Sequence, residues 1–121
     1  MARTAPLSFS KSRRLTAPSE FQRVKRDGST QRGKHLMLGV LAVDNAPAFR
    51  AGFVTSRTLG GAVARNQVRR RLREIVRRHQ HDLRDNFWIV LIARADAARA
   101  SYRMLEDEWL RLARRASILT A

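Results

Sequence analysis

The chain has no cysteine in its 121 residues, which excludes a disulfide framework and any thiolate metal site. Acids are scarce: ten Asp and Glu face 25 Lys and Arg, a formal net charge of +15. Lysine occurs only at 11, 25 and 34, so nearly all of that charge is arginine, which suits bidentate phosphate contacts and stacking on bases. Long apolar runs are also missing. None approaches the ~20 residues that a bilayer-spanning helix needs, and the opening MARTAPLSFSKSRRL lacks the apolar core of a secretory signal.

What remains is a chain with 44% hydrophobic residues, too many for wholesale disorder despite its charge. Its length fits one domain burying roughly two-thirds of its unfolded surface. A compact body of this charge repels itself, so a polyanion is the natural partner and an anionic membrane surface the competing one. A cytoplasmic protein with no membrane association is the expectation. The charge is also uneven: residues 1–78 carry 18 cations and 4 acids, residues 79–121 carry 7 and 6. The last third reads as structural backing.

Residues 1–12 read as a flexible basic arm, with Lys11 and the adjoining Arg13 and Arg14 available for phosphate. Residues 13–116 read as the folded domain and 117–121 as a tail. Ser19 can cap a short helix over about 20–27, with Gln22 completing a capping box, Phe21 and Val24 on one face and Gly28 just past its end. His35–Val43 and Phe49–Arg57 read as two strands joined by turn chemistry at Asp44-Asn45-Ala46-Pro47, an expected antiparallel hairpin. Ser29–Thr30 can add a short edge strand.

After Gly60-Gly61 a helix begins whose apolar residues Val68, Leu72, Ile75 and Val76 are spaced as one buried stripe. At about 100° per residue, Asn66, Arg69, Arg70, Arg73 and Arg77 share an arc away from that stripe, with Arg71, Glu74 and Arg78 flanking it. Phe87–Ala93 is a continuous apolar run, the mark of a strand covered on both faces. Ser101 can cap a last helix with a stripe of Tyr102, Leu105, Trp109, Leu112, Ala113 and Ala116. Glu106, Asp107 and Glu108 read as favourable charge toward its start. The expected architecture is a single α+β sandwich of one sheet with helices.

An active site in the chain itself is poorly supported. His79 and His81 are two apart and would diverge on a helix. No metal-ligand spacing, Walker pattern, GxGxxG or G-x-S-x-G context is present. The three successive acids cannot converge on a substrate by themselves. Charge runs on helices are usually of mixed sign, whereas residues 65–78 hold seven arginines and one acid. A dense anion would relieve that repulsion, and the uncapped amides after Gly60-Gly61 can meet phosphate. A basic helix lying between strands argues against a helix-turn-helix reader of DNA.

The string Ser56-Arg57 … Gly60 … Ala62-Val63 … Arg65-Asn66 … Arg69-Arg70 … Arg73-Glu74 resembles the bacterial ribonuclease P protein component, whose pattern is similar to S-K-K-x-G-N-A-V-x-R-N-x-x-K-R-x-x-R-E. Arg14-Leu15 with Glu20-Phe21 and Gly28, and Ala93-Arg94 before an amphipathic helix, extend the resemblance over about residues 13–115. It implies an α-β-β-β-α-β-α sandwich (ribosomal protein S5 domain 2-like) with a left-handed crossover. It also implies a subunit that binds a catalytic RNA and the 5′ leader of precursor tRNA, with the RNA and Mg²⁺ performing hydrolysis. No organic cofactor, no protein-bound metal and no obligate protein partner are implied. By position, Ser56, Arg57, Arg65, Asn66, Arg69, Arg70, Arg73 and Arg77 would dock the catalytic RNA, and Phe21, Lys25 and Phe53 would touch the leader. The sequence departs from the pattern at Thr58, where a Lys is usual, and at Gly61, where an Asn is usual. Lys25 and Leu36-Met37-Leu38-Gly39 stand where the family carries more aromatics, so less stacking and more reliance on charge are expected in the leader cleft. A general RNA-binding protein of ribosomal or chaperone type is the alternative.

Overall fold

The most apolar run becomes the middle of the sheet. Strand β4 (Phe87–Ala93) pairs antiparallel with β2 (Leu36–Ala42) along one edge and parallel with β3 (Arg50–Thr55) along the other. With β1 (Ser29–Arg32) antiparallel to β2, the order is β1-β2-β4-β3. These coordinates are a computed structural model that describes residues 13–44 and 48–120. The arm expected over 1–12 and the turn residues 45–47 lie outside them. The complete order is α1 (Pro18–Asp27), β1, β2, β3, α2 (Ala62–Arg78), β4, α3 (Tyr102–Arg115), with short 3-10 turns at Arg57–Leu59, Gln80–Asp82 and Ala95–Arg99.

The expected hairpin between the second and third strands does not form, because β4 is inserted between them: Trp88 stands opposite both Leu41 and Arg50. Turn chemistry fixes where the chain reverses and leaves the partner open. A strand apolar on both faces gains most from a central position with a neighbour on each edge. The hairpin that does form is β1–β2, so the short edge strand exists and runs two residues beyond Thr30.

Alternation along the strands sends side chains to two cores. Leu36, Leu38, Ile89, Leu91 and Ala51 pack under α2 and α3, against Val68, Leu72, Ile75, Val76, Leu105, Trp109 and Leu112. Leu41, Val90 and Leu15 pack on the opposite face with Val24 of α1, joined by Phe21, Val54, Trp88 and Ile92. Each buried Leu, Ile or Val contributes about 1.5–3 kcal/mol. The four-residue stripe therefore outweighs the repulsion among exposed arginines on α2, where each like-charge pair costs only some tenths of a kcal/mol.

Helix α1 starts two residues earlier than the Ser19 cap implies. Ala17 is the N-cap and Pro18 the first helical residue, a position its fixed φ suits. Glu20 rather than Gln22 then reaches back, its Oε1 accepting from the amides of Thr16 (3.1 Å) and Ala17 (3.0 Å). Gly28 ends the helix at φ −96°. Its lack of a side chain matters because a Cβ there would sit 2.3 Å from the Val40 carbonyl oxygen. Helix α3 is capped by Ser101, whose Oγ accepts from the Met104 amide at 3.1 Å. The packed chain continues past Ala116: Ile118 is buried, Leu119 bridges to Leu83, and the Thr120 amide donates to the Asp82 carbonyl at 2.8 Å.

One of the three acids on α3 has a different job from the one its position suggested. Glu108 is only 2% exposed, and its Oε2 accepts from the amides of His35 (2.7 Å) and Leu36 (2.6 Å) at the start of β2. It lies three residues after Leu105 and four before Leu112, on the buried stripe. It therefore anchors the β1–β2 hairpin to α3 and adds nothing to helix-start electrostatics.

Candidate nucleic-acid interface

The strand β3 delivers the chain to the basic helix through a tight turn. Gly60 has φ +130°, a region open to glycine and strained for other residues, and Gly61 is the N-cap of α2. No side chain caps that end, so the first amides of a 17-residue helix face outward. Ser56 and Thr58 share a hydroxyl–hydroxyl hydrogen bond of 2.6 Å across the turn. Thr58 thus braces the turn and adds no charge to it.

The buried stripe then fixes which residues of α2 face out. Asn66, Arg69, Arg70 and Arg73 line one shallow depression of about 220 Å³. A second, of about 180 Å³, adjoins it and is lined by Arg14, Leu15, Thr16, Ala51, Phe53, Arg69 and Arg73. Arg69 is oriented by two acceptors, Asn66 Oδ1 (3.1 Å) and Thr55 Oγ1 (2.5 Å). Neither acceptor is charged, so the guanidinium is fixed without being neutralised. Partial burial lowers the pKa of Arg73, and repulsion from Arg14 and Arg69 lowers it further. Three guanidinium groups thus crowd one spot, and an anion seated among them would relieve that cost.

Not every arginine of the arc joins this cluster. Arg77 turns to Glu74: its Nε donates to Oε1 at 2.9 Å and its Nη2 to Oε2. That hydrogen bond is the main reason the Glu74 carboxyl lies below its ordinary range and the Arg77 guanidinium above its own. Arg77 is therefore partly neutralised, and it lines neither depression. Arg71, on the far side, donates to the Ala100 carbonyl at 3.2 Å and ties α2 to the segment before α3. Arg65 is half-buried a turn before Arg69, Arg70 is exposed, and Ser56 and Arg57 are exposed in the turn.

The three residues expected at the leader do not converge. Phe21 is half-buried between α1 and the sheet, filling the space left by Gly52, where a Cβ would lie 2.5 Å from the ring. Lys25 is exposed on α1. Phe53 points to the other sheet face, against the main core, and beside Arg14, Arg69 and Arg73. Neighbouring strand residues point to opposite faces, so Gly52 meets Phe21 and Phe53 cannot. Conversely, Arg14 belongs with the α2 cations, held there by a parallel bridge to Ala51. Only its place in an R-L motif hinted at that. His79, outside this surface, bonds Glu106 of α3 at 2.9 Å.

Known proteins resemble this chain in sequence and in fold. A family model described as Ribonuclease P covers residues 9–117. The ribonuclease P protein component of Roseiflexus sp. (strain RS-1) is 41% identical over 109 residues, 89% of this chain and 88% of that one. That of Chloroflexus aurantiacus is 38% identical over 109 residues, 89% and 80%. Among solved structures, the Staphylococcus aureus RNase P protein superposes with a TM-score of 0.83 over 90% of this chain and 99% of that one, at 24% identity. The Thermotoga maritima RNase P protein gives 0.76 over 84% and 96%, at 25% identity.

Proposed function

The chain belongs to the bacterial ribonuclease P protein family, and we propose that it works there by docking the catalytic RNA against the cationic face of α2. As the protein component it is a subunit of the endoribonuclease that matures the 5′ end of tRNA, acting with ribonuclease P RNA on precursor tRNA. The observation that carries the docking assignment is the crowding of Arg69, Arg70 and Arg73 around one depression lined otherwise by Asn66. Asn66 and Thr55 hold Arg69 in place, Arg70 extends the surface, and Ser56, Arg57 and Arg65 border it. Arg77, bound to Glu74, joins only by exchanging that partner. Phe21 and Lys25, on α1, contact the leader there, while Phe53 acts beside the α2 cluster.

The bond cleaved is a phosphodiester, and the chain's part is to hold two polyanions together by offsetting their charge. Mg²⁺ supplies charge neutralisation and an activated water for hydrolysis. The cationic face does not suit it: its lining offers guanidinium groups, and the Asn66 Oδ1 is already an acceptor for Arg69. The ion is assigned to the RNA. No described helix is long and apolar enough to cross a membrane, and a cytoplasmic site of action goes with the substrate.

Reconstitution tests the reading. Mixed with bacterial ribonuclease P RNA and precursor tRNA at low Mg²⁺, the protein should stimulate 5′ leader removal, and without added RNA it should cleave nothing. Binding without stimulation would replace this role with that of a general RNA-binding protein.

A further inference from the structure

Helix α1 has a second flank that the docking scheme leaves unused. Phe21 and Lys25 lie on one side of its buried line, which runs through Val24. Ser19, Gln22, Arg23 and Arg26 lie on the other, spaced at 3, 4 and 7 residues. Below that second flank is the start of β4, and there Trp88 is half-exposed. Ser19, Glu20, Gln22, Arg23, Arg26 and Trp88 line an open groove of about 630 Å³, a volume within the ~300–1,000 Å³ of small-ligand clefts.

The groove has the parts of a nucleotide-stacking site. The Trp88 indole lies against two guanidinium groups, Arg23 at 5.2 Å and Arg50 at 5.4 Å from the ring centroid. Arg50 is anchored: it donates to Glu20 Oε2 at 2.5 Å and to the Arg14 carbonyl at 2.8 Å. That pairing also offsets the acid in the groove's lining. Arg23 is exposed on α1, over the indole and close enough to Asp27 to help lower that carboxyl's pKa. A guanidinium stacked on an indole can give way to a base and then cover the base's outer face. Arg26 stands at the rim in an exposed bidentate pair with Asp27, at 3.1 and 3.2 Å. Exposed pairs of this kind are weak, so a phosphate can compete for that arginine. Ser19 and Gln22, exposed in the same lining, offer a hydroxyl and an amide for hydrogen bonds. An aromatic face with cations beside it is the usual construction for unpaired nucleotides.

We propose that Trp88, Arg23 and Arg26 form a stacking site for one unpaired RNA nucleotide on the flank of α1 opposite Phe21 and Lys25. The identity of the RNA rests on the ribonuclease P reading; the stacking chemistry does not.

Fluorescence reads the site directly, because the other tryptophan, Trp109, is fully buried in the opposite core. The full-length protein is titrated with a single-stranded RNA of about ten nucleotides bearing a precursor-tRNA leader sequence, and separately with ribonuclease P RNA alone. Binding is followed in parallel by anisotropy of labelled RNA. Quenching by the leader strand assigns the nucleotide to the leader, and quenching only by the catalytic RNA assigns it there. Trp88→Ala should weaken binding of that RNA roughly tenfold or more, while Trp88→Phe, which keeps an aromatic face, should retain most of the affinity and show that folding is intact. No quenching at saturation by either RNA, or equal binding by Trp88→Ala and the unsubstituted protein, overturns the proposal. Failure of the unsubstituted protein to stimulate leader cleavage would count against the family role alone.

Discussion

Helices α2 and α3 lie side by side on one face of the sheet, both amphipathic and both rich in arginine, yet they use charge in opposite ways. Two of the three acids of α3 are engaged within the fold: Glu108 with the start of β2 and Glu106 with His79. On α2 the one acid, Glu74, takes Arg77, and Arg69, Arg70 and Arg73 are left facing solvent with Arg14 beside them. Charges met by carboxylates or backbone groups hold a fold together. Charges crowded against their own sign store a preference for something outside it. The comparison therefore predicts that substitutions on α3 damage stability and that substitutions on α2 damage RNA binding.

The largest expected effect is at Glu108. Glu108→Ala leaves the His35 and Leu36 amides without their acceptor in a buried site, at about 1–3 kcal/mol each, a large share of the ~5–15 kcal/mol that stabilises a typical domain. Urea unfolding should show a loss of about 2–5 kcal/mol, whereas RNA affinity of the molecules that remain folded should be unchanged. Glu108→Gln keeps one acceptor and should cost less. A stable Glu108→Ala variant with weakened RNA binding would break the division between the two helices.

The converse experiment removes Arg69, Arg70 and Arg73 together. Alanine favours helix and the stripe beneath is untouched, so circular dichroism and unfolding should change little. Affinity for ribonuclease P RNA should fall about 100-fold at moderate salt, and the salt dependence should become shallower by about two to three in log–log slope, near 0.7–0.9 per lost phosphate contact. Unchanged affinity in a folded variant would sever the cationic face from RNA docking.

How far the sequence shows this division depends on the range of the interaction. The α2 face was legible because a buried stripe and its opposite arc follow from local spacing alone, and all four stripe residues are buried. Glu108 was equally local, since its spacing from Leu105 and Leu112 puts it on the buried side. Its identity as an acid drew attention to the helix start instead. Pairing of β4 between β2 and β3 was not legible, because the turn residues carry no information about a strand forty residues on. The sheet face taken by Phe53 follows from that pairing, as does the meeting of Arg14 with Arg69 and Arg73, so these were hidden with it. Trp88 showed as a strand residue, but its groove appears only when α1 is laid across the sheet.

A smaller effect separates a partnered arginine from the crowded ones. Burial works to raise the Glu20 pKa, but the amides of Ala17 and Thr16 and the Arg50 guanidinium outweigh it, and the carboxyl lies below its ordinary value. A depressed carboxyl stabilises the fold above its unfolded pKa of about 4.3, and that contribution is lost as pH falls through the lower folded value. Unfolding free energies measured from pH 7 down to pH 3 should decline for the unsubstituted protein and decline less steeply for Glu20→Gln. The variant strips Arg50 of its carboxylate, but Arg50 lies against Trp88 and lines neither depression of the α2 face, so the salt dependence of RNA docking by α2 should stay almost unchanged. A change as large as that of the triple α2 variant would put Arg50 among the docking cations.

The smallest expected effect lies at the turn that feeds α2, where two adjacent glycines contrast. At Gly60, φ +130° makes any side chain strained, and Gly60→Ala should cost about 1 kcal/mol. Gly61 has φ −73° at the N-cap, and a Cβ there meets nothing within 4 Å. Asparagine is a better N-cap than glycine by a few tenths of a kcal/mol, because its side-chain oxygen accepts from an amide of the first turn. Gly61→Asn should therefore raise stability slightly. The same oxygen would occupy an amide that otherwise faces outward, at the end of the helix where an RNA phosphate would be drawn. If that amide serves the RNA, the more stable variant should bind ribonuclease P RNA less tightly; if Arg69, Arg70 and Arg73 carry docking alone, its affinity should match that of the unsubstituted protein. Measured together, thermal unfolding and RNA affinity of this one variant decide whether the helix end shares the work of its cationic face.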